Sequence, residues 1–423
     1  MLQIRFLLSL LFLGIFLPIS AQTEEIKVPN RTNSTAQTEK PYVILISVDG
    51  FRDDYFDRFN TPFLNQMRAK GVVAESMIPS FPSVTFPNHY TLVTGLIPAH
   101  HGVVGNSMYD PKSENFYSIR NKEAVQNPDW YGGVPIWSLA ESQQMLTACY
   151  YWPGSEAPIA GYYPTYRYPY SERKSVEGRI ARVREWLELP KAERPHLITF
   201  YMPEVDHAGH RYGPEALETE FAAKFADAAI QKLVEAVNKT GLPVNYIFVS
   251  DHGMTAVDTK QPIIVPKTDS EETKIVSSGT YVSIFTKDKK EKDSLYNTLK
   301  KESQVTKQFS VYLKEEVPEK YQFSDKEDKH NRIGDIVMIA QSPYYFSRSG
   351  RFVSPGAHGY LPEDTPDMNT VFLAWGPDIQ DSKTIKPFKN THVFPLLAAL
   401  LELDYDFGID GDDRLIPLVL KQR

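Results

Sequence analysis

Residues 42–50 read Tyr42-Val43-Ile44-Leu45-Ile46-Ser47-Val48-Asp49-Gly50. The first seven form an apolar, β-branched run with no polar alternation, which predicts a strand buried on both faces. The run stops at an acidic turn. Residues 196–202 (HLITFYM) repeat the pattern and enter a polar loop, and residues 244–250 (VNYIFVS) run into Asp251-His252-Gly253. Residues 370–375 (TVFLAW) form a fourth run. Helical periods separate these strands: residues 62–70, with Gly71 as the expected C-cap, and residues 215–238. Apolar strands alternating with helices predict an α/β fold, a mostly parallel central sheet with helices on both faces. Ligands bind such sheets at the carboxyl ends of the strands, where acidic and histidine-bearing turns stand here.

Working outward, residues 261–341 differ in character. They are rich in Lys and Glu, with short alternating strands at 280–286 and 335–340 and a charged helix near 287–302. They read as a small α+β insertion subdomain within a catalytic domain spanning 41–423. Residues 22–40 are polar and read as a flexible leader. Residues 1–21 read as a signal peptide. Arg5 precedes a nearly unbroken apolar run from Phe6 to Ile19, and Ile19-Ser20-Ala21 has the small-residue pattern of a cleavage site before Gln22. The run is shorter than the ~20 residues of a membrane span, and an uncleaved anchor is the competing reading. The expected product is exported, periplasmic or extracellular, without a transmembrane anchor in the mature chain. Asn-x-Ser/Thr sites begin at Asn30, Asn33 and Asn238.

Composition narrows the chemistry. The chain has 423 residues, 42% of them hydrophobic and 12% aromatic, enough for a full core. Its net charge of −7 argues against a nucleic-acid-binding domain. The single Cys excludes an internal disulfide framework, a cysteine zinc finger and a Cys-ligated iron–sulfur cluster. Ten His and 53 acidic residues leave a His/carboxylate metal site open.

Several polar clusters could supply one. Asp49 ends a buried strand, where a carboxylate also serves as a turn former. Asp206 and His210 are four apart, so on a helical turn both face one side and can chelate a single ion. Asp251 and His252 adjoin at a strand end. His358 lies in the loop Pro355-Gly356-Ala357-His358-Gly359. Pro87 suits the first turn of a helix, which sets Thr85 or Phe86 at its start. Thr85 is then either a simple N-cap or a hydroxyl held where the helix dipole attracts an anion. A lone His such as His358 is more often structural or on the surface; His89 reads as a structural helix residue, and His100 and His101, in a loop before Gly102, as structural.

These pieces occur together and in order: Ser47-Val48-Asp49-Gly50-Phe51-Arg52, Thr85-Phe86-Pro87-Asn88-His89-Tyr90, Gly105-Asn106 with Met108-Tyr109-Asp110-Pro111, Trp152-Pro153-Gly154-Ser155, Asp206 with Gly209-His210, Asp251-His252-Gly253-Met254, and His358-Gly359. The chain thereby resembles the nucleotide pyrophosphatase/phosphodiesterase family of the alkaline phosphatase superfamily, in a secreted form of bacterial type, over roughly residues 41–415. The resemblance implies an alkaline phosphatase-like fold and two zinc ions. Asp49, Thr85, Asp251 and His252 would hold one, and Asp206, His210 and His358 the other. It implies Thr85 as nucleophile, with a covalent intermediate that water hydrolyses. The Asn106 amide and the Thr85 N–H would face a non-bridging oxygen.

For the substrate, the resemblance implies an aromatic-lined pocket: Phe86, Tyr201 and, in the Tyr-rich stretch 162–170, Tyr166, completed by Ile119, Trp152, Glu156 and Asn106. Two aromatics could sandwich a flat base. The expected partner is a small nucleotide or other phosphodiester, and the expected protein a monomer. Ser107 and Gly132 stand where some animal members carry Lys. Fewer cations weaken the hold on a triphosphate tail, which leaves NTPs, dinucleotides and simple diesters open. A choline-phosphodiester or lysophospholipid phosphodiesterase, a phosphomonoesterase on the same core and a non-catalytic secreted binding protein are the competing readings. A sulfatase is excluded, because Cys149 is followed by Tyr150-Tyr151-Trp152 rather than the Cys-x-Pro-x-Arg pattern.

Overall fold

The computed structural model describes residues 24–350 and 353–422. The proposed signal peptide lies outside the described residues. Among those described, nine strands form the central sheet, in the order Ile26–Lys27, Tyr166–Tyr168, Thr147–Tyr150, Leu197–Met202, Tyr42–Val48, Val244–Val249, Phe372–Trp375, Val72–Ala74 and Lys383–Ile385. Leu197–Met202, Tyr42–Val48 and Val244–Val249 run parallel side by side, with Ser47 opposite both Tyr201 and Val249. Phe372–Trp375 runs antiparallel to Val244–Val249. The sheet is therefore mostly parallel.

The strand at its centre shows why its sequence has no alternation. Val43 and Leu45 pack into the core on one face; Tyr42, Ile44, Ile46 and Val48 pack into the core on the other. Burying a Val- or Leu-sized side chain is worth ~1.5–3 kcal/mol, so two-sided burial fixes this strand in the middle. Helices Thr85–Thr94 and Val393–Leu401 cover the first face. Val176–Glu188 and Leu217–Asn238 cover the second.

Residues 273–340 carry a separate four-stranded antiparallel sheet, Thr273–Ser277, Tyr281–Thr286, Ile336–Ala340 and Phe309–Leu313, with helix Lys289–Thr306 and its own core.

The reading of residues 22–40 as a flexible leader is corrected from residue 24 on. Ile26–Lys27 pairs antiparallel with Tyr166 and Arg167 at the sheet edge. Glu25 binds Arg182 and accepts a hydrogen bond from Trp186 Nε1 (2.6 Å). Asn33 is buried: its amide donates to the carbonyls of Lys191 (2.9 Å) and Arg194 (2.7 Å), and its Oδ1 accepts the Leu146 N–H (2.7 Å). Hydrogen bonds to distant backbone, rather than apolar contacts, tie the segment down. They also occupy the Asn33 side chain that a glycan would need.

Candidate metal and phosphoryl-transfer site

The three parallel central strands end on one edge of the sheet, and their next residues supply the acids. Asp49 follows Val48, Asp251 follows Val249-Ser250, and Met202 leads into helix Glu204–Tyr212, which carries Asp206 and His210 one turn apart. Gly50 lets the first two meet the third. It has φ +73°, and a Cβ there would sit 2.9 Å from the Asp206 Cα. His358 arrives on the short strand Gly356–Ala357, paired with Thr255–Ala256. Gly356 is equally constrained, since a Cβ would lie 2.2 Å from the Gly209 carbonyl oxygen.

The ligand-type atoms converge. Asp206, His210 and His358 offer atoms within 4.8 Å of one another, as do Asp49, Asp206 and His252. His252 Nε2 lies 3.3 Å from Asp49 Oδ1 and 2.9 Å from Asp251 Oδ2. Its ring stacks on His358 at 3.5 Å. Thr85 Oγ1 lies 3.2 Å from His252 Nε2.

The three imidazoles share one tautomer. Nδ1 of His210 faces the Gly356 carbonyl (2.9 Å), Nδ1 of His252 the Gly253 carbonyl (2.9 Å) and Nδ1 of His358 the Ser83 carbonyl (3.0 Å). A carbonyl only accepts, so each Nδ1 carries a proton, and in the neutral ring each Nε2 presents a lone pair. Those lone pairs point inward, with His210 and His358 Nε2 3.0 Å apart. Buried carboxylate oxygens join them without hydrogen-bond partners: Asp49 Oδ1, Asp206 Oδ1 and Asp251 Oδ2. Inward-facing acceptors with no donor among them suit a cation.

The electrostatics agree. Burial, and then the negative charge of Asp251, hold the Asp49 carboxyl well above the ordinary carboxylate range. Burial also opposes the charge on Asp251, but in metal-free protein the neighbouring His252 and His89 hold that carboxyl low when protonated, and burial of His252 is likewise outweighed by Asp251, which raises His252. A cation among these groups would take the place of the His252 proton. His358 is kept well below the ordinary imidazole range by burial and by neighbouring His252 and His210.

His89 also approaches Asp251, but both its nitrogens are engaged. Nδ1 donates to the Thr85 carbonyl (3.0 Å), and Nε2 accepts from the Ser47 hydroxyl (2.8 Å). It is a structural residue behind the site. Val84 is the N-cap and Thr85 the first residue of the helix, with its hydroxyl facing His252. Asn106 Oδ1 accepts the Phe86 N–H (2.9 Å), so the group Asn106 has left to give is its Nδ2 amide.

The pocket residues divide. Phe86 is half-buried beside Thr85, and Ile119 is exposed, its N–H donating to the Asn106 carbonyl (3.0 Å). Tyr201 is buried, with its hydroxyl on Asp49 Oδ2 (2.6 Å). Trp152 is buried behind His89, its Nε1 donating to the His89 carbonyl (3.0 Å). Tyr166 is corrected: it lies in the core beside Trp186, its hydroxyl on the Glu193 carbonyl (2.9 Å), so it offers no face to a substrate. The exposed ring near the site is Tyr170, 45% exposed and edge-on to Tyr201 at 6.2 Å. Glu156 Oε1 holds it by accepting the Tyr170 N–H (3.0 Å). Tyr170 lies in the same Tyr-rich stretch, four residues on.

Residues 43–361 match the type I phosphodiesterase / nucleotide pyrophosphatase family. The chain is 33% identical over 376 residues to ectonucleotide pyrophosphatase/phosphodiesterase family member 3 of Rattus norvegicus, covering 86% of this chain and 42% of that one. It is 33% identical over 377 residues to an uncharacterized pyrophosphatase/phosphodiesterase of Schizosaccharomyces pombe, covering 85% and 77%. It thus spans less than half the length of the rat relative. Among solved structures it is similar to murine ectonucleotide pyrophosphatase/phosphodiesterase 5, in an inactive form complexed with AMP, at 29% identity and a TM-score of 0.82, covering 90% of this chain and all of that one. By family match, sequence identity and fold, the chain belongs to the type I phosphodiesterase / nucleotide pyrophosphatase family.

Proposed function

We propose that the protein is a zinc-dependent nucleotide phosphodiesterase/pyrophosphatase that releases nucleoside 5′-monophosphates through a covalent intermediate on Thr85. The observation that carries this reading is the set of inward Nε2 lone pairs and unpartnered carboxylate oxygens around the Thr85 hydroxyl. Asp49, Thr85, Asp251 and His252 would hold one ion; Asp206, His210 and His358 would hold the second. Nitrogen and carboxylate donors without thiolates suit zinc. Bound there, such ions supply Lewis acidity and a low-pKa oxygen.

The chain's own residues do the rest. Thr85 Oγ1 forms a bond to phosphorus as the bond to the leaving oxygen breaks; the Thr85 proton is lost and the leaving oxygen gains one. The Asn106 amide and the Thr85 N–H, which has no intrahelical acceptor, stabilise the charge on the non-bridging oxygens. Water then displaces Thr85 and frees the monophosphate. Phe86 and Tyr170 flank a flat base. That the murine relative is described as holding AMP favours a nucleotide. The apolar run at residues 6–19 further supports export.

Thr85→Ala tests the reading: hydrolysis of the p-nitrophenyl ester of thymidine monophosphate falls by roughly 10³-fold or more while zinc remains bound. Full turnover by this variant, or release of phosphocholine from choline esters with nucleotides inert, overturns it.

A further inference from the structure

Asn106 closes the segment 102–106, which joins the short helix Pro98–His101 to strand Ser107–Asp110 and is itself neither helix nor strand. A catalytic donor has to be held to within about 0.5 Å of its working position. A segment of this kind therefore needs anchors from outside.

The insertion subdomain supplies them. Tyr281 opens strand Tyr281–Thr286 and is buried. Its hydroxyl donates to the Val104 carbonyl (2.5 Å). The same hydroxyl lies against Gly105, where a Cβ would stand 2.3 Å from it. The contact thus falls on the two residues directly before Asn106. Arg332, also buried, spans both flanks. Its Nη1 donates to the carbonyls of Gly102 (3.0 Å) and Trp130 (2.7 Å). Its Nη2 donates to the Asp129 carbonyl (2.9 Å) and the Asp110 carboxylate (3.3 Å). Gly102 lies four residues before Asn106, and Asp110 four residues after it.

Docking the subdomain does not by itself require the Tyr281 hydroxyl. The ring packs against Phe81 at 6.2 Å and Phe323 at 5.7 Å, and those contacts survive its removal. What the hydroxyl adds is direction, since a hydrogen bond fixes the distance and angle of its acceptor and a dispersion contact does not. Two other bonds, from the Ile119 N–H to the Asn106 carbonyl (3.0 Å) and from the Phe86 N–H to Asn106 Oδ1 (2.9 Å), orient the Asn106 side chain. Tyr281 sets where the backbone beneath it lies.

We propose that the insertion subdomain places the Asn106 amide at the reacting phosphate, with Tyr281 as the positioning residue. The assignment rests on the reading above, in which that amide faces a non-bridging oxygen.

The test is a double-mutant cycle on the zinc-loaded full chain, with the p-nitrophenyl ester of thymidine monophosphate as substrate. Tyr281→Phe keeps the ring and removes the hydroxyl. It lowers kcat about ten-fold or more and leaves KM within about two-fold, with wild-type zinc content and a cooperative melting transition. Gly105→Ala, which drives a Cβ into the hydroxyl, shows the same split between kcat and KM. In an Asn106→Asp background, where the amide is already gone, Tyr281→Phe costs less than about two-fold. Equal losses in the two backgrounds, wild-type kcat in Tyr281→Phe, or a loss of zinc together with activity overturn the positioning role alone. Wild-type kcat in Asn106→Asp overturns the reading of Asn106 and this proposal with it.

Discussion

His210 and His358 aim the same kind of atom at each other: their Nε2 nitrogens lie 3.0 Å apart, and each ring's Nδ1–H donates to a backbone carbonyl. Two lone pairs at that separation repel unless a cation stands between them. Both rings also approach Asp206 Oδ1, at 3.4 and 3.6 Å. In metal-free protein this arrangement works against folding; in loaded protein it works for it.

Chelation therefore lowers both activity and the melting temperature, and added zinc restores them. In His358→Ala, metal analysis finds one of the two ions missing, and activity falls by on the order of 10²-fold or more. An unchanged metal content in that variant would falsify the ligand set.

Tyr201 donates its hydroxyl to Asp49 at 2.6 Å and would thereby orient a proposed metal ligand. Tyr201→Phe weakens zinc affinity by about 10–100-fold, read by competition with a chelator. At saturating zinc its kcat stays near wild type. A fall in kcat at saturating zinc, with affinity intact, would place Tyr201 on the substrate instead.

Asn106 has two separable jobs. Its Oδ1 accepts the Phe86 N–H, and its amide is the proposed donor to phosphate. Asn106→Asp keeps the acceptor and removes the donor. The variant folds normally and loses roughly 10²–10³-fold in kcat. Wild-type kcat in Asn106→Asp would remove Asn106 from the mechanism.

Acid stability reads out a histidine away from the site. His101 is buried, and burial pushes its imidazole down to about 3. Its Nδ1 accepts the Val103 N–H (3.1 Å), leaving no place for a second proton. The folded state thus refuses a proton that the unfolded chain takes up below its pKa of ~6.5. Stability is present above that value and declines as pH falls toward 3, by about 2 kcal/mol at pH 5. In His101→Gln the slope of unfolding free energy against pH, between about 6 and 4, decreases by roughly one proton. Titration of the metal site cancels in the comparison. An identical slope would show that His101 is not the group.

How far the sequence reaches depends on the range of the interaction. The central strands were legible because two-sided burial is written locally, in the run Tyr42–Val48 of six apolar residues and one small Ser47. Asp49, Asp251 and the Asp206/His210 pair were legible because each follows a strand end or obeys helical spacing. The anchoring of Asn33 was not, since its partners lie at Leu146, Lys191 and Arg194. Tyr166 and Tyr170 show the same limit. Strand Tyr166–Tyr168 turns Tyr166 and Tyr168 toward Trp186 on one face, and Tyr170 falls beyond the strand's carboxyl end, near the site. Where that strand ends depends on its pairing with Thr147–Tyr150 and Ile26–Lys27. A count of tyrosines does not contain that information.

The central claim is that Thr85 bonds to phosphorus. The most direct measurement is mass spectrometry of zinc-loaded enzyme, acid-quenched within its first turnover of a nucleotide ester. The account predicts a nucleoside-monophosphoryl adduct on the peptide containing Thr85, and net retention of configuration at a chiral phosphorothioate centre. Rapid turnover with no adduct and with inversion at phosphorus would mean that water attacks directly, and would contradict it.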